Sequence, residues 1–336
     1  MNVIERIKGA ETVRSFNINR SVVFGVALLL LLSVAGTLLV PQFGSYTNLR
    51  SMLLLAAFLG LASLGQTLCA LLGGVDLSIP YVIGSSNIML AALLSWGVPW
   101  PVACLMVLVG GIVVGILNGA LSFRLQGQSL IMTMGVGLAV VGACQIYISI
   151  GSVYGGTVQG DVPEWLRDLS SIAGTTFGLP IPPVVVIWIA LAAVVVTAMS
   201  NTSFGRSFYA VGGNRLAASR ILISEYRTWL IAYAISGAMS ALTGMALLGF
   251  AGGGFVGVGD PYLFTTIAAV VIGGTSLMGG WGGYGSTIVG TLALTLLTTL
   301  LVGLGLSFAM QQAVFGLLIV PIVALYARDR SMRDKI

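Results

Sequence analysis

Long apolar stretches separated by short polar segments run along almost the whole sequence. A helix that crosses a lipid bilayer needs about 20 apolar residues, so the uncharged intervals between charged residues show how many crossings fit. The pattern predicts an all-α integral membrane protein with about ten transmembrane helices. These helices are expected within 21–40, 51–75, 77–123 (two), 129–150, 169–205, 228–259 and 261–327 (three).

The composition excludes a soluble fold. Of the 336 residues, 57% are hydrophobic and only 7% are charged, whereas a soluble domain carries about 25% charged residues. Glycine occurs 46 times, roughly twice its average share of about 7%. Small residues let membrane helices approach closely, so this glycine content indicates a tightly packed helical bundle.

Positive charge predicts the orientation in the membrane. With the N-terminus in the cytoplasm, 13 of the 15 lysines and arginines fall in segments that the ten-helix pattern places inside, and only Arg50 and Arg167 fall outside. Cytoplasmic loops are enriched in lysine and arginine, so both termini are expected in the cytoplasm. The predicted organisation is a cytoplasmic segment 1–20, a transmembrane permease domain 21–327 and a cytoplasmic tail 328–336.

Two segments between the predicted helices are long enough to contact partners. The cytoplasmic 201–227 loop carries four arginines against one acid, Glu225, and is the best candidate surface for binding a cytoplasmic protein. The external segment 151–182 contains a short amphipathic stretch at 161–168. That stretch either lies on the membrane surface with Trp165 at the interface, or it offers a docking edge to an external partner.

The sequence lacks the residues that most enzymes need. It contains no histidine, which removes the commonest general base and metal ligand. No Gly-Lys-Ser/Thr phosphate-binding loop occurs, so the chain does not hydrolyse ATP by that route. The net charge of +5 comes from the cytoplasmic segments and does not indicate nucleic-acid binding. We therefore expect a transport subunit that is not an enzyme and binds no cofactor or metal, and the lack of intramembrane acid and histidine arrays argues against proton coupling.

Asp76 is the only charged residue between Arg50 and Arg124. It lies in Gly73-Gly-Val-Asp-Leu-Ser78 and is followed by Pro80, and both glycine and proline interrupt helices. Irregular backbone inside a membrane is tolerated only where it is buried in protein or faces water. Asp76 therefore either caps a helix start beside a translocation path, which it lines or braces, or Asp76 or Ser78 is an ordinary N-cap at the cytoplasmic interface. If 51–95 formed a re-entrant pair, the turn would move to the middle of the membrane.

A second glycine-rich joint at 272–283 repeats part of this pattern 200 residues later, with Gly73 aligned to Gly273 and Gly74 to Gly274. Paired broken helices in the two halves of a transporter point to its path, and close helix packing is the alternative explanation for the glycines. Polar uncharged residues inside the predicted helices would suit a neutral, hydroxyl-rich cargo, or they form hydrogen bonds between helices. The candidate path residues are Asp76, Ser78, Asn87, Asn118, Gln145, Thr265, Thr266, Thr275 and Ser276.

Three stretches taken together resemble a known family. They are Gly73-Gly-Val-Asp-Leu-Ser78, Phe204-Gly-Arg-Ser-Phe-Tyr-Ala-Val-Gly-Gly-Asn214 followed by Ala217 and Ala218, and Ile267-Ala-Ala-Val-Val-Ile-Gly-Gly-Thr-Ser-Leu-Met-Gly-Gly280. In this order and spacing they look like the membrane permease of bacterial ABC importers for monosaccharides of the ribose, xylose and galactose type. Branched-chain amino acid permeases are more distant relatives in the same superfamily. The resemblance covers about residues 20–327.

The resemblance implies a multi-pass protein of the bacterial inner membrane that works with three kinds of partner. A second permease subunit, identical or different, completes the pore; a cytoplasmic ABC ATPase uses the ATP; and a periplasmic or lipid-anchored binding protein delivers the sugar. In the family the ATPase docks on the segment that matches 201–227, through a short coupling helix. Here that helix is expected at 215–221 with Asn214 as its N-cap. The residues expected to couple to the ATPase are Arg206, Asn214, Arg215, Leu216, Ala217, Ala218 and Arg220.

Three departures from the family pattern leave alternatives open. Leu222 stands where the family usually has glycine, and because leucine adopts a left-handed backbone only at a cost, the turn is expected to differ. Pro80 replaces a common glycine, and Thr265 and Thr266 replace common acidic residues near the expected path, so the sugar is not identified. The cargo could instead be a branched-chain amino acid or a nucleoside. A self-sufficient secondary transporter or channel is the alternative from a different class.

Overall fold

The structure is a computed structural model that describes residues 20–125, 128–149, 157–158 and 162–318. The predicted terminal segments 1–20 and 328–336 lie outside the described residues, apart from residue 20, and so do parts of the predicted external segment 151–182.

Helices make up most of the described chain, as the apolar pattern predicts. In chain order they are α1 Arg20–Leu39, α2 Tyr46–Leu71, α3 Ile79–Ser95, α4 Trp100–Arg124, α5 Ser129–Ser149, α6 Glu164–Leu169, α7 Pro183–Asn201, α8 Ser203–Gly213, α9 Arg215–Arg220, α10 Glu225–Ala251, α11 Tyr262–Ile272, α12 Tyr284–Gly303 and α13 Phe308–Leu318. Two short strands, β1 Thr157–Val158 and β2 Gly254–Phe255, pair in antiparallel fashion.

Six helices of the described ranges, α2, α4, α5, α7, α10 and α12, are long and apolar enough to cross a membrane. Four further apolar helices, α1, α3, α11 and α13, have shorter described apolar stretches. The all-α, multi-pass membrane architecture predicted from the sequence is therefore confirmed.

The bundle is organised around α10, which packs against α2, α3 and α4. Glycines make the contact with α4 close: a β-carbon at Gly115 would overlap the carbonyl oxygen of Tyr233, and one at Gly237 would overlap that of Gly111. Small residues at four-residue spacing are what allow membrane helices to approach in this way. The predicted role of glycine in close packing is thus observed at this interface.

The inner and outer helices differ in burial. From Ala56 to Leu71 every residue of α2 is buried, so this helix lies inside the bundle. The helices α1, α4, α5 and α7 instead present exposed apolar side chains, among them Leu38, Leu105, Ile131 and Val194. Exposed apolar surface on this scale belongs against lipid or against another subunit.

The predicted amphipathic stretch at 161–168 is a helix, α6, that begins at Glu164. Leu166 of α6 is buried, and its backbone lies against Gly249 near the end of α10. The ring of Trp165 contacts that of Trp100 with centroids 4.8 Å apart. The helix is therefore fixed to the bundle, and its role as a membrane anchor or docking edge stays a prediction.

Candidate functional site

The first helix break, residues 72–78, separates α2 from α3. Gly73 has a left-handed backbone with φ of 78°, and the amides of Gly73 and Gly74 donate to the carbonyls of Ala70 (2.9 Å) and Cys69 (3.0 Å). This paired arrangement is a Schellman motif, which ends a helix with a glycine at the left-handed position. The break predicted from the Gly-Gly pair is confirmed.

Asp76 lies deep in the bundle. Its Oδ2 accepts a hydrogen bond of 2.7 Å from the hydroxyl of Ser236 on α10, and Ser236 follows the first residue of α10, Glu225, by about 16 Å of helix at 1.5 Å per residue. Asp76 is buried, and the N-cap of α3 is Ser78, whose side chain makes no capping bond. Ser78 and not Asp76 is thus the N-cap, the Asp76 carboxylate is bound by a distant helix, and the position of this turn relative to the cytoplasmic interface stays a prediction.

Neutral donors surround the Asp76 carboxylate. Its Oδ1 accepts from the amide (2.9 Å) and the hydroxyl (2.6 Å) of Ser78, and Asn118 Nδ2 donates to that hydroxyl oxygen (2.8 Å). The Asp76 amide donates to Gln66 Oε1 (3.3 Å). We call Gln66, Asp76, Ser78, Asn118 and Ser236 the Asp76 cluster. Among the described residues no lysine or arginine nitrogen lies within 4.0 Å of the carboxylate, so hydrogen bonds alone hold it.

Side chains from other helices also form hydrogen bonds with backbone amides and carbonyls of the first break. Thr133 Oγ1 of α5 accepts from the Leu77 amide (2.9 Å), and the Tyr233 hydroxyl of α10 donates to the Val75 carbonyl (3.3 Å). Backbone groups inside a membrane need such partners because lipid offers none. The Asp76 cluster and these two residues thus connect α2, α4, α5 and α10 through one turn, which supports the predicted bracing role.

The second helix break, residues 273–283, follows α11 and ends that helix with the same motif. The amides of Gly274 and Thr275 donate to the carbonyls of Val271 (2.9 Å) and Val270 (3.0 Å), and Gly274 has a φ of 86°. Gly274, and not Gly273, is therefore the counterpart of Gly73. The two helix ends therefore correspond at an offset of 201 residues, one more than the offset of 200 that the matching residues show in the sequence.

Both helix breaks touch the 201–227 loop at one point. The Gly280 amide donates to the Leu71 carbonyl (2.9 Å), which joins the second break to the end of α2. A β-carbon at Gly212, at the end of α8, would overlap the Leu71 carbonyl oxygen and lie 2.7 Å from the Gly280 nitrogen. We call Leu71, Gly212 and Gly280 the three-way contact. The contact is between backbone atoms, so no flexible side chain lies between them that could move to make room.

The 201–227 loop contains two helices, α8 and α9. The sequence did not predict α8. The coupling helix expected at 215–221 is α9, which ends one residue earlier, at Arg220. Asn214 Oδ1 accepts from the Ala217 amide (3.0 Å), so the predicted N-cap is confirmed. Of the residues expected to couple to an ATPase, those with exposed side chains are Arg206, Asn214, Leu216, Ala217 and Arg220, whereas Ala218 is buried.

The Arg215 side chain is already bound by other residues of this chain. Its guanidinium forms an ion pair of 3.2 Å with Glu225 Oε1 and lies 5.3 Å from the ring centroid of Trp229. These contacts tie the start of α9 to the start of α10. Arg215 therefore positions the loop, and its neighbour Leu216, which is 77% exposed, is the better candidate for contact with a partner.

Leu222 adopts the left-handed backbone that its side chain disfavours, with φ of 62°. The amides of Leu222 and Ile223 donate to the carbonyls of Ser219 (3.0 Å) and Ala218 (3.1 Å), which forms a third Schellman motif at the end of α9. The expectation of a different turn is wrong. Burial of Ala218 and packing of Ile223 against the same core cluster hold the loop in the glycine-like conformation.

Replacing Leu222 by glycine is expected to stabilise the end of α9 by about 1 kcal/mol, because the left-handed strain of about 1–2 kcal/mol exceeds the entropic cost of glycine. Hydrogen exchange of the Ile223 amide in the permease alone measures this, and an approximately fivefold slowing is expected. The control is Ile221→Gly, at a neighbouring exposed position with φ of −99°. That variant should exchange faster, and slower exchange there or faster exchange in Leu222→Gly would contradict the assignment of strain.

The remaining candidate path residues do not join the Asp76 cluster. Asn87 bridges the Gly244 carbonyl (3.1 Å) and the Phe255 amide (2.9 Å). The hydroxyls of Thr265 and Thr266 donate to carbonyls of their own helix turn. The others differ in setting: Thr275 accepts from the Gly283 amide within the second break, Ser276 accepts from the Met278 amide, and Gln145 is exposed on α5. Their role in a path stays a prediction.

Sequence reasoning did not find Ser236 and Thr133 as partners of the first break. Both are single hydroxyl residues inside apolar helices, where such groups usually bond to their own helix, as Thr133 also does with the Ser129 carbonyl (2.9 Å). One signal was available: Gly65 beside Gln66 allows Ser236 to approach, since a β-carbon there would overlap the Ser236 Cα and meet its Oγ at 2.7 Å. The pairing itself depends on the tertiary fold.

The broken helices, the buried polar turn and the basic loop define a multi-pass membrane permease. The chain belongs to the family described as the permease component of the branched-chain amino acid transport system, which matches residues 48–323.

Several curated proteins are similar over most of their length. A probable ABC transporter permease protein, YphD of Escherichia coli K12, is 33% identical over 304 residues, covering 88% of this chain and 86% of its own. The ribose import permease protein RbsC of Bacillus subtilis is 31% identical, covering 90% and 91%. The autoinducer 2 import system permease protein LsrC of Shigella flexneri is 29% identical, covering 94% and 90%. No solved structure matches the chain.

Proposed function

We propose that the chain is the permease subunit of an ATP-driven importer and forms the translocation path for a monosaccharide or a related polyol. The import of ribose and of autoinducer 2 by the relatives supports a small polar cargo of this type. The neutral polar residues of the bundle, with a single buried acid near the first break, suit an uncharged hydroxyl-rich molecule. ATP is used by a separate ATPase subunit, and this chain contributes geometry to the cycle.

The proposed topology has ten membrane crossings with both termini in the cytoplasm of a bacterial cell and the protein in the inner membrane. Each predicted interval contains an apolar helix of the described chain, which supports the count. The helices α3 and α11 have 17 and 11 residues, fewer than the roughly 20 that a straight crossing needs. Each adjoins a helix break, as the discontinuous helices of transporters do.

The observation that carries the proposal is the three-way contact of Leu71, Gly212 and Gly280. The Gly280 amide and the Leu71 carbonyl form a hydrogen bond of 2.9 Å between the second break and the end of α2, and Gly212 of the 201–227 loop lies against both residues. A partner that moves this loop would displace the end of α2 and the second break together. That is the coupling that alternating access requires when the energy source is another subunit.

The proposed partners are a cytoplasmic ABC ATPase, a second permease subunit in a homodimer or heterodimer, and a periplasmic or lipid-anchored binding protein. The ATPase would dock on α9 and the turn after it, where Leu216 and Leu222 are 77% and 94% exposed. Apolar side chains exposed in a cytoplasmic loop, unlike those on the outer helices, have no lipid to cover them. The exposed outer faces of the bundle supply surface for the second permease.

Leu216→Asp tests the docking site. We expect this variant to reduce co-purification of the ATPase at least tenfold, since it places a charge in a buried apolar contact. The matched control is Phe177→Asp, which alters a 97% exposed apolar residue on the predicted external side. Wild-type amounts of ATPase with Leu216→Asp, or equal loss in both variants, would refute docking on α9.

A further inference from the structure

The turn at residues 276–283, which we call the Trp281 turn, is fixed by its own hydrogen bonds. The Ser276 amide donates to the Trp281 carbonyl (3.0 Å), and the Met278 amide donates to the Ser276 hydroxyl (3.1 Å). The Tyr209 hydroxyl of α8 donates to the Gly282 carbonyl (2.9 Å). Burial raises the pKa of the Tyr209 phenol, so it stays a neutral donor. The turn is therefore a preformed surface and not a loose connection.

Two large apolar side chains point away from this turn. Met278 and Trp281 are 69% and 64% exposed. The backbone between them is irregular. Exposed irregular backbone cannot face the hydrocarbon of a membrane, because its polar groups would lose their partners. The turn therefore faces water or another protein, and a tryptophan ring in water gains more than most side chains from being covered by protein.

The Trp281 turn is continuous with the 201–227 loop. A β-carbon at Gly280 would lie 2.8 Å from Gly213 Cα, and one at Gly279 would lie 2.9 Å from the Gly212 carbonyl oxygen. An open cavity of about 530 Å³ adjoins the turn and is lined by Tyr209, residues 280–283, Gly285 and Ser286. The next residues of the loop lead directly into α9, so the turn and the predicted docking helix share one side of the molecule.

The charge of this side indicates the chemistry of the partner. The 201–227 loop carries four arginines and one acid, and the acid, Glu225, is paired with Arg215. Within the described residues the other three arginines, Arg206, Arg220 and Arg227, have no acidic partner within 4.0 Å. A complementary surface would therefore be apolar at its centre and acidic at its rim.

We propose that Met278 and Trp281 form a second contact for the same cytoplasmic ATPase that docks on α9, inserted into an apolar pocket with an acidic rim. This inference rests on the proposed function. It gives the ATPase two adjacent points of attachment. The second point would let the ATPase act on the second helix break directly as well as through α8.

Site-specific photo-crosslinking in the assembled complex tests this proposal. The probe p-benzoylphenylalanine is placed at position 281, at position 216 on α9, or at position 177 on the predicted external side. We expect crosslinks to the ATPase from positions 281 and 216, and none from 177. A crosslink from 216 without one from 281 overturns the second contact and leaves the proposed function intact. Crosslinks from 281 only to a second permease copy or to lipid also overturn it, and failure at both 216 and 281 overturns the proposed function as well.

Alanine substitution gives an independent measure. Trp281→Ala is expected to weaken ATPase binding about thirtyfold or more, the loss typical of a central tryptophan in an interface. The control is Trp96→Ala, at a 47% exposed tryptophan at the end of α3, on the predicted external side. Because Trp281 is exposed, its loss leaves the core intact, and melting of the permease alone should not change. An unchanged ATPase affinity in Trp281→Ala contradicts the proposal.

Discussion

Gly212→Ala is expected to reduce ATP-driven uptake by at least fivefold while the ATPase remains bound. The new methyl group would overlap the Leu71 carbonyl oxygen and crowd the Gly280 amide, which separates the 201–227 loop from both helix breaks. Overpacking of this kind costs about 1–3 kcal/mol, and a cost of that size on one state of a two-state cycle changes the coupling roughly 5- to 150-fold. Uptake and ATPase co-purification, measured on the same preparation, separate lost coupling from lost binding.

The matched control is the next residue. A β-carbon at Gly213 would meet no atom within 4 Å, so Gly213→Ala makes the same chemical change in the same helix without the overlap. It is expected to keep uptake close to the wild-type level. Equal uptake in the two variants would show that the three-way contact does not transmit motion, and loss of the ATPase from Gly212→Ala would show that α8 acts in docking instead.

Asp76→Ala is expected to destabilise the permease by several kcal/mol. The substitution removes the acceptor of three hydrogen bonds, from the Ser78 amide, the Ser78 hydroxyl and the Ser236 hydroxyl. Each buried donor left without a partner costs about 1–3 kcal/mol. Size-exclusion chromatography and thermal melting in detergent measure the loss. Asp260→Ala, at an exposed turn residue, is the control and should behave like the wild type.

Asp76→Asn separates shape from charge at the same position. The asparagine oxygen can still accept from Ser78, and its amide can donate to the Ser236 hydroxyl oxygen, so most of the stability and most of the uptake should return. Recovery of both stability and uptake in Asp76→Asn is expected if Asp76 braces the first helix break. A stable Asp76→Asn chain that has lost uptake would instead assign the carboxylate a direct role in transport.

The apolar pattern predicted where the helices lie because burial in a membrane depends mainly on local composition. It also predicted both helix breaks, where a glycine takes the left-handed backbone at the helix end, although the glycine pair 110–111 lies within α4. The helix α8 was missed because its glycines indicate a loop by propensity, whereas packing of Gly205 against the Met199 backbone and of Gly212 against Leu71 accommodates a helix. Tertiary contacts overrode the local preference there.

The hydrogen bond that joins Asp76 to α10 needs a partner that no local pattern identifies. Ser236 follows Asp76 by 160 residues, and nothing in its neighbourhood distinguishes it from Ser240, whose hydroxyl bonds to its own helix. Leu222 shows the opposite case. Its side chain predicted a different turn, but the hydrogen bonds and core contacts of the surrounding helix ends are worth more than the strain of one residue.

Reconstitution in proteoliposomes tests the central claim most directly. The permease is inserted alone, or together with its ATPase and binding protein, and the entry of a panel of labelled pentoses and hexoses is followed with and without ATP. The account predicts uptake of at least one sugar only when ATPase, binding protein and ATP are all present, and none by the lone chain under a sodium or proton gradient. Accumulation of sugar by the lone chain, driven by an ion gradient without ATP, would contradict the account.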